Sequence, residues 1–328
     1  MTSIRFARAL TLAATVALAG PAMAQDASTA EQIVGIMNKL WGQHAGLRAN
    51  HAKGVVVEGT FTPAPEAAGL SKASVFKGPA VPVTVRFSDA TGLPAIPDGA
   101  ANANPHGMAI KFKLAEGGEM DVVVNALKYF PVRTGEEFRD LLKAVSESGP
   151  DVPHPTPIET FVKAHPAAGT AGGTAGTPSS LARQTFNGVN AFVFVDATGK
   201  RQAFRYRFVP VAGEESLSKD EAAKQAPDFL MREIVERIGK EPVSYRVLAQ
   251  LAQAGDATND ATKPWPEDRK TVELGTLTLT KPVADSAQAE KALLFMPNAL
   301  ADGIEVSDDP LIDTRVQSYA VSFGKRAQ

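Results

Sequence analysis

Four short stretches hold residues whose types and spacing could do chemistry. In DTRVQSYAVSFGKR, Tyr319 has Arg315 four residues before it and Arg326 seven after. A guanidinium one helical turn from a phenol can hydrogen-bond it and favour its anion. In LRANHAKG, His51 follows Arg48 by three residues, and histidine is the commonest general acid or base. VRFSDATG carries Arg86 and Ser88. DVVVNALKYFPVRTGEEF carries Asn125 and, thirteen residues on, Phe138. Each also has a plain structural reading. A histidine at a strand entrance is commonly just hydrogen-bonded or exposed. An asparagine closing a strand is commonly a turn residue. A phenylalanine opening a helix is commonly core, and an Arg–Tyr pair four apart is commonly a pair of helical neighbours. His44, His106, His154 and His165 form no H-x-x-x-H or E-x-x-H pattern, so spacing points to no zinc site.

The elements that must position these residues are legible from periodicity. Thr29 to Trp41 places Ile33, Ile36, Met37, Leu40 and Trp41 at helical spacing, which predicts one amphipathic helix. Gly54–Pro63, Val81–Ser88, Gly107–Leu114 and Met120–Asn125 are rich in β-branched and aromatic residues and bounded by Gly and Pro, which predicts strands. Gly135 to about Ser148 reads as a helix, and Pro153 to Ser180 as a long irregular loop with a low-complexity segment. Phe186–Val195 and Arg201–Val209 form an expected hairpin around Asp196–Lys200. Two helices are expected next, one opened by the capping box Ser218 to Glu221, the other over Pro242 to Ala254. Val272–Thr280 is a further strand. The pattern predicts an α+β fold around an antiparallel barrel or strongly curved sheet.

Composition narrows the classes. Of 328 residues, 21% are charged and 44% hydrophobic, as in ordinary globular proteins. No block of like charge suggests nucleic-acid binding. There is no cysteine, which excludes disulfides, thiol catalysis and thiolate metal ligands. The first 24 residues have Arg5 and Arg8, an apolar run from Ala9 to about Gly20, and Ala22-Met23-Ala24. That is the pattern of a cleaved signal peptide. Cleavage after Ala24 is expected to leave a single domain over 25–328 in a bacterial periplasm. Nothing later reads as a membrane span.

Taken together and in order, the stretches resemble the haem catalases over most of the chain. R-x-x-H-A-K-G resembles the distal-histidine motif, VRFS matches its VRFS, and PHGMAIKF is similar to PRGFAVKF. DVVVN is similar to the DLVGN segment that brings in the distal asparagine. PWPEDRKTVELGTLTLTK and MPNALADGIEVSDDPLIDTRVQSYAVSFGKR resemble the segments leading to the proximal R-x-x-x-Y. The resemblance implies a catalase-like barrel with surrounding helices and one haem b whose ferric iron is held by Tyr319. Arg315 would support the phenolate and Asp309 would support Arg315. Arg48, Arg86 and Arg326 would pair with the haem propionates, and Phe138 would stack on the porphyrin. His51 would move the peroxide proton, Asn125 would position the peroxide, and Ser88 would fix the imidazole. Hydrogen peroxide or organic hydroperoxides would be the oxidants and a small organic molecule the reductant.

The chain also departs from the large catalases. Only nine residues follow Tyr319, so it resembles instead the compact catalase-related peroxidases, which implies a monomer or homodimer. Asn50 precedes the distal histidine where catalases have valine, and Asn104 stands where they have a channel aspartate. A proximal relay histidine aligns with Arg207 or its neighbour. These differences imply a peroxidase with weak catalase activity. Two other readings remain: a hydroperoxide isomerase or dehydratase of the allene-oxide type, motivated by Asn50, and a non-enzymatic haem-binding protein.

Overall fold

The computed structural model describes residues 27–326; the expected signal peptide at 1–24 lies outside them. Helix α1 (Thr29–Trp41) is followed by strands β1 (Gly54–Pro63), β2 (Val81–Ser88), β3 (Gly107–Lys113) and β4 (Glu119–Asn125). Helices α2 (Gly135–Ser146), α3 (Pro157–Ala164) and α4 (Pro166–Thr170) come next. Strands β5 (Phe186–Asn187), β6 (Phe192–Val195) and β7 (Arg201–Pro210) precede helices α5 (Lys219–Ala223) and α6 (Phe229–Ile238). The chain then runs through β8 (Val243–Leu251), β9 (Thr271–Pro282), α7 (Ser286–Ala292), β10 (Ile304–Val306) and α8 (Pro310–Arg326).

All strand pairs are antiparallel, in the order β10-β6-β7-β5-β4-β3-β2-β1-β9-β8. Pairing of β7 with β8 closes eight of these strands into a barrel, which leaves those eight without a free edge. Alternation explains the inside of the barrel. Val55 and Val57 on β1, Val83, Val85 and Phe87 on β2, and Met108, Ile110 and Phe112 on β3 are all buried. Phe87 packs against Phe186 and Tyr245, and Tyr245 donates its hydroxyl to the Leu181 carbonyl at 2.6 Å. The expected α+β barrel is therefore observed.

A second, smaller core lies outside the barrel. Ile33, Val34 and Met37 of α1 pack with Ala49 and Leu142, against Phe138 and Val321. Ser28 and Glu31 close a capping box at the start of α1, which fixes where that helix begins. Helices α1, α2 and α8 contact one another and form a layer facing the barrel wall.

Three expectations need correction. Residues 243–251 form a strand, not a helix: Val243, Tyr245, Val247, Ala249 and Leu251 are buried on alternate positions, a period of two. The capping box at Ser218 opens only the five-residue α5, and the longer helix is α6. The stretch expected as a loop over 153–180 contains α3, capped by Thr156 and Glu159, and α4.

Phe87 is fully buried in the barrel. Phe87→Ala is expected to lower stability by about 3–5 kcal/mol, read from the midpoint of denaturant unfolding.

Candidate active site

One cavity separates the barrel wall from the helical layer. Its empty volume, open mouth included, is about 1320 Å³. The loop before β1 supplies Arg48, Asn50 and His51; β2 supplies Arg86 and Ser88; β4 ends in Asn125; α2 brings Phe138; α8 brings Arg315, Tyr319 and Arg326. All nine residues singled out from the sequence as a site line this one cavity.

His51 sits on strained backbone. Its φ is 57°, a left-handed conformation that non-glycine residues seldom adopt. Thr91, at φ 72°, is the other non-glycine residue there among those described, and its carbonyl accepts from Ala52 N at 3.0 Å. Asn50 Oδ1 accepts from His51 N at 2.9 Å, so the polar residue at this position supports the turned backbone. The imidazole Nδ1 lies 3.1 Å from Ser88 Oγ, which leaves Nε2 for a substrate. A Cβ on Gly107 would sit 3.0 Å from Ser88 Oγ and 3.2 Å from His51 Cε1; glycine lets the ring lie against β3. Burial, then the nearby Arg86 charge, pushes His51 down to about 3, so the ring is neutral at pH 7.

A buried polar cluster anchors this loop from behind. Lys53 Nζ pairs with Asp98, lies 3.6 Å from Asp89 and donates to the carbonyls of Ile96 and Pro227. Asp98 Oδ2 accepts from Leu230 N and Met231 N in the first turn of α6. His106 Nε2 is 3.4 Å from Asp89 Oδ1. Burial and the neighbouring Asp98 raise Asp89. Burial lowers His106.

Asn125 Oδ1 accepts from Leu127 N at 2.9 Å, which orients the amide and leaves Nδ2 as the free donor. Arg48, Arg86 and Arg326 converge at one end of the cavity. Arg86 Nη2 donates to the His51 carbonyl at 2.9 Å. A Cβ on Gly54 would stand 2.4 Å from that same nitrogen, so the glycine makes room for the guanidinium. Glu290 of α7 takes bonds from Arg48 at 3.0 Å and from Arg86 Nε at 2.8 Å.

On α8, Arg315 Nε donates to the Tyr319 hydroxyl at 3.2 Å. Arg315 Nη1 bonds Asn190 Oδ1, and Asn190 Nδ2 donates to Asp309 Oδ2 at 2.8 Å. Asp309 therefore reaches Arg315 through Asn190. Arg207, expected near this relay, instead pairs with Glu267 at 2.9 Å. Asn104 donates to Thr177 Oγ1 and does not line the cavity. Sequence reasoning missed Asn190, Glu290 and Phe130, which packs on Phe138 with ring centroids 5.5 Å apart.

A sequence model of the catalase family matches residues 8–327. The chain belongs to the catalase family. A catalase-related peroxidase of Mycolicibacterium paratuberculosis is 35% identical over 302 residues, 91% of this chain and 95% of its own. One from Synechococcus elongatus is 31% identical over 321 residues, 97% of this chain and 94% of its own. The resemblance to the compact catalase-related peroxidases is thus borne out. A solved bacterial catalase shares the catalase fold at a TM-score of 0.75 and 23% identity. The match covers 96% of this chain but 63% of that catalase, so this catalase-family chain spans less than two thirds of the larger enzyme.

Catalase-family proteins generally bind haem, and the cavity fits one. Its walls include Ile33, Val34, Met37, Val123 and Phe138, suited to a flat apolar ring. Three guanidiniums at one end suit carboxylates, and the Arg326 Nε and Ser318 Oγ atoms are buried without a partner. The Tyr319 phenol, backed by Arg315, offers an oxygen donor suited to ferric iron.

The neutral His51 gives a pH signature. Its pKa is lower folded than its ordinary 6.5, so the unfolded chain takes up a proton that the native state refuses. Relative to His51→Gln, the wild type is expected to lose stability as pH falls below 6.5, by at most about 1.4 kcal/mol per pH unit. Paired thermal melts from pH 7 to 4 check the sign.

Proposed function

We propose that this chain is a haem peroxidase that holds haem b through Tyr319. It reduces hydrogen peroxide and organic hydroperoxides with a small organic reductant, and has weak catalase activity. The observation that carries the reading is one cavity lined by Tyr319 with its Arg315 partner, a neutral His51 and an amide donor at Asn125. Bound haem supplies the iron that accepts peroxide oxygen and the electrons that break the O–O bond.

The chain's own residues do the rest. His51, neutral at working pH, takes a proton from the near peroxide oxygen at Nε2 and returns it to the far oxygen, which leaves as water from hydrogen peroxide or as the alcohol from an organic hydroperoxide. The Ser88 contact holds Nδ1 and sets which nitrogen is free. Asn125 Nδ2 donates to the peroxide and offsets negative charge as the bond lengthens. Arg315 donates to the Tyr319 oxygen and fixes its direction. The Asn190–Asp309 pair keeps that guanidinium in place. Arg48, Arg86 and Arg326 would bind the propionates, and Phe138 would pack against the porphyrin. The signal-like residues 1–24 support export to the periplasm. Intact mass would then show a mature chain starting at Gln25.

The isomerase reading rests on Asn50, whose oxygen is engaged by the His51 backbone. A non-enzymatic carrier has no use for a free base beside a free amide donor. Stopped-flow absorbance of the haem-loaded protein with hydrogen peroxide, with and without a phenol, is the deciding test. Peroxide should change the haem spectrum, and phenol should hasten its return while being oxidised. His51→Ala is expected to slow the peroxide reaction by about 10²–10⁴-fold with haem retained; an unchanged rate would remove His51 from the mechanism. Tyr319→Phe should weaken haem retention and alter the ferric spectrum. Product formation from a fatty-acid hydroperoxide without any reductant would instead favour the isomerase.

A further inference from the structure

Helix α7 inverts the usual amphipathic rule. Its seven residues, Ser286–Ala292, bury only one side chain, and that side chain is the acid Glu290. Buried carboxylates are rare unless paired. Glu290 Oε2 alone takes Arg48 Nη1 at 3.0 Å, Arg86 Nε at 2.8 Å and Arg86 Nη2 at 2.7 Å. The same turn supplies two carbonyls. Glu290 O accepts from Arg326 Nη1 at 3.3 Å, and Leu293 O accepts from Arg48 Nη2 and Arg326 Nη2. One short helix thus ties together three arginines from the loop before β1, from β2 and from the end of α8.

We propose that Glu290 is the positioning residue of the porphyrin-carboxylate subsite. It aims Arg48 and Arg86 and trims the charge of the arginine cluster to the charge of two propionates. The inference rests on the haem reading above. Three guanidiniums and one carboxylate leave two positive charges, the number that the two propionates of haem b neutralise. Without the acid, three like charges, two of them buried, would face each other at close range, and Arg86 Nε would lose its partner. The electrostatics agree. Burial and the other two arginines push Arg48 down, while Glu290 holds it up. Glu290 also holds up Arg326 against its burial and against Arg86.

The rival role has the opposite sign. A carboxylate that merely occupies the arginines would compete with the propionates, and its removal would tighten haem. A merely structural Glu290 would weaken every porphyrin alike. The test is a Soret titration of apo-protein with haemin and with haemin dimethyl ester, whose carboxylates are blocked. Wild type should bind haemin more tightly than the ester. Glu290→Gln should lower haemin affinity roughly tenfold or more and leave ester affinity unchanged. Glu290→Asp, which keeps the charge, should recover part of the haemin preference and serves if the Gln variant does not fold. Tighter haemin binding by Glu290→Gln, or equal losses for both porphyrins, overturns the proposal. If wild type binds neither porphyrin, the haem reading itself falls. If wild type binds both but does not prefer haemin, only the carboxylate subsite falls.

Discussion

A guanidinium buried in a β-strand must find anions or carbonyls, because nothing in a barrel wall can replace its water. Arg86 is only 3% exposed, and the partners of its Nε and Nη2 organise the rest of the site. One nitrogen reaches the carbonyls of His51 and Ala52 and so fixes the loop that carries His51. The same side chain reaches Glu290 and so fixes α7. Glycine at position 54 is the steric condition for that approach. Removing the charge would leave Glu290 with one partner fewer and the left-handed backbone of His51 without its clamp. Strain of that kind persists only where the surroundings over-determine it.

The opposite wall is built on a different principle. Tyr319 and Arg315 are neighbours on one helical face, so α8 alone sets their spacing. Direction comes from outside the helix. Asn190, in the turn between β5 and β6, accepts from Arg315 and donates to Asp309, and Asp309 Oδ1 also accepts from Leu311 N in the first turn of α8. The carboxylate thus caps the helix and, through an amide, orients the cation one turn and a half further on. Charge-assisted bonds arranged in series polarise one another, and the series ends on the phenol oxygen.

Local pattern carried the barrel and the first helix well, because β-branched runs bounded by Gly and Pro, and a clean 3.6 period in α1, report on burial directly. It failed at β8, where the Leu-Ala-Gln-Leu-Ala-Gln end of the segment favours helix and masks the alternating Val243, Tyr245 and Val247. The site residues were legible only through the order of several motifs; each alone had an equally good structural reading. Asn190 and Glu290 carried no local signal. Asn190 acts on a residue 125 positions away, and Glu290 on one 204 positions away. A glutamate in a short polar helix reads as solvent-facing, and only the closed barrel brings the arginines to it.

The two halves of the site also share an electrostatic link. The positive charge of Arg86 depresses the proton affinity of His51, while the same guanidinium is directed at the end of the cavity that suits carboxylates. An anion settling there offsets part of that field, and the imidazole becomes a better base without becoming charged, since burial remains the larger cause of its depressed value. A group bound there by its carboxylates would therefore tune the His51 imidazole. Glu290 limits the size of that effect, because it already offsets part of the arginine charge before any ligand carboxylate arrives.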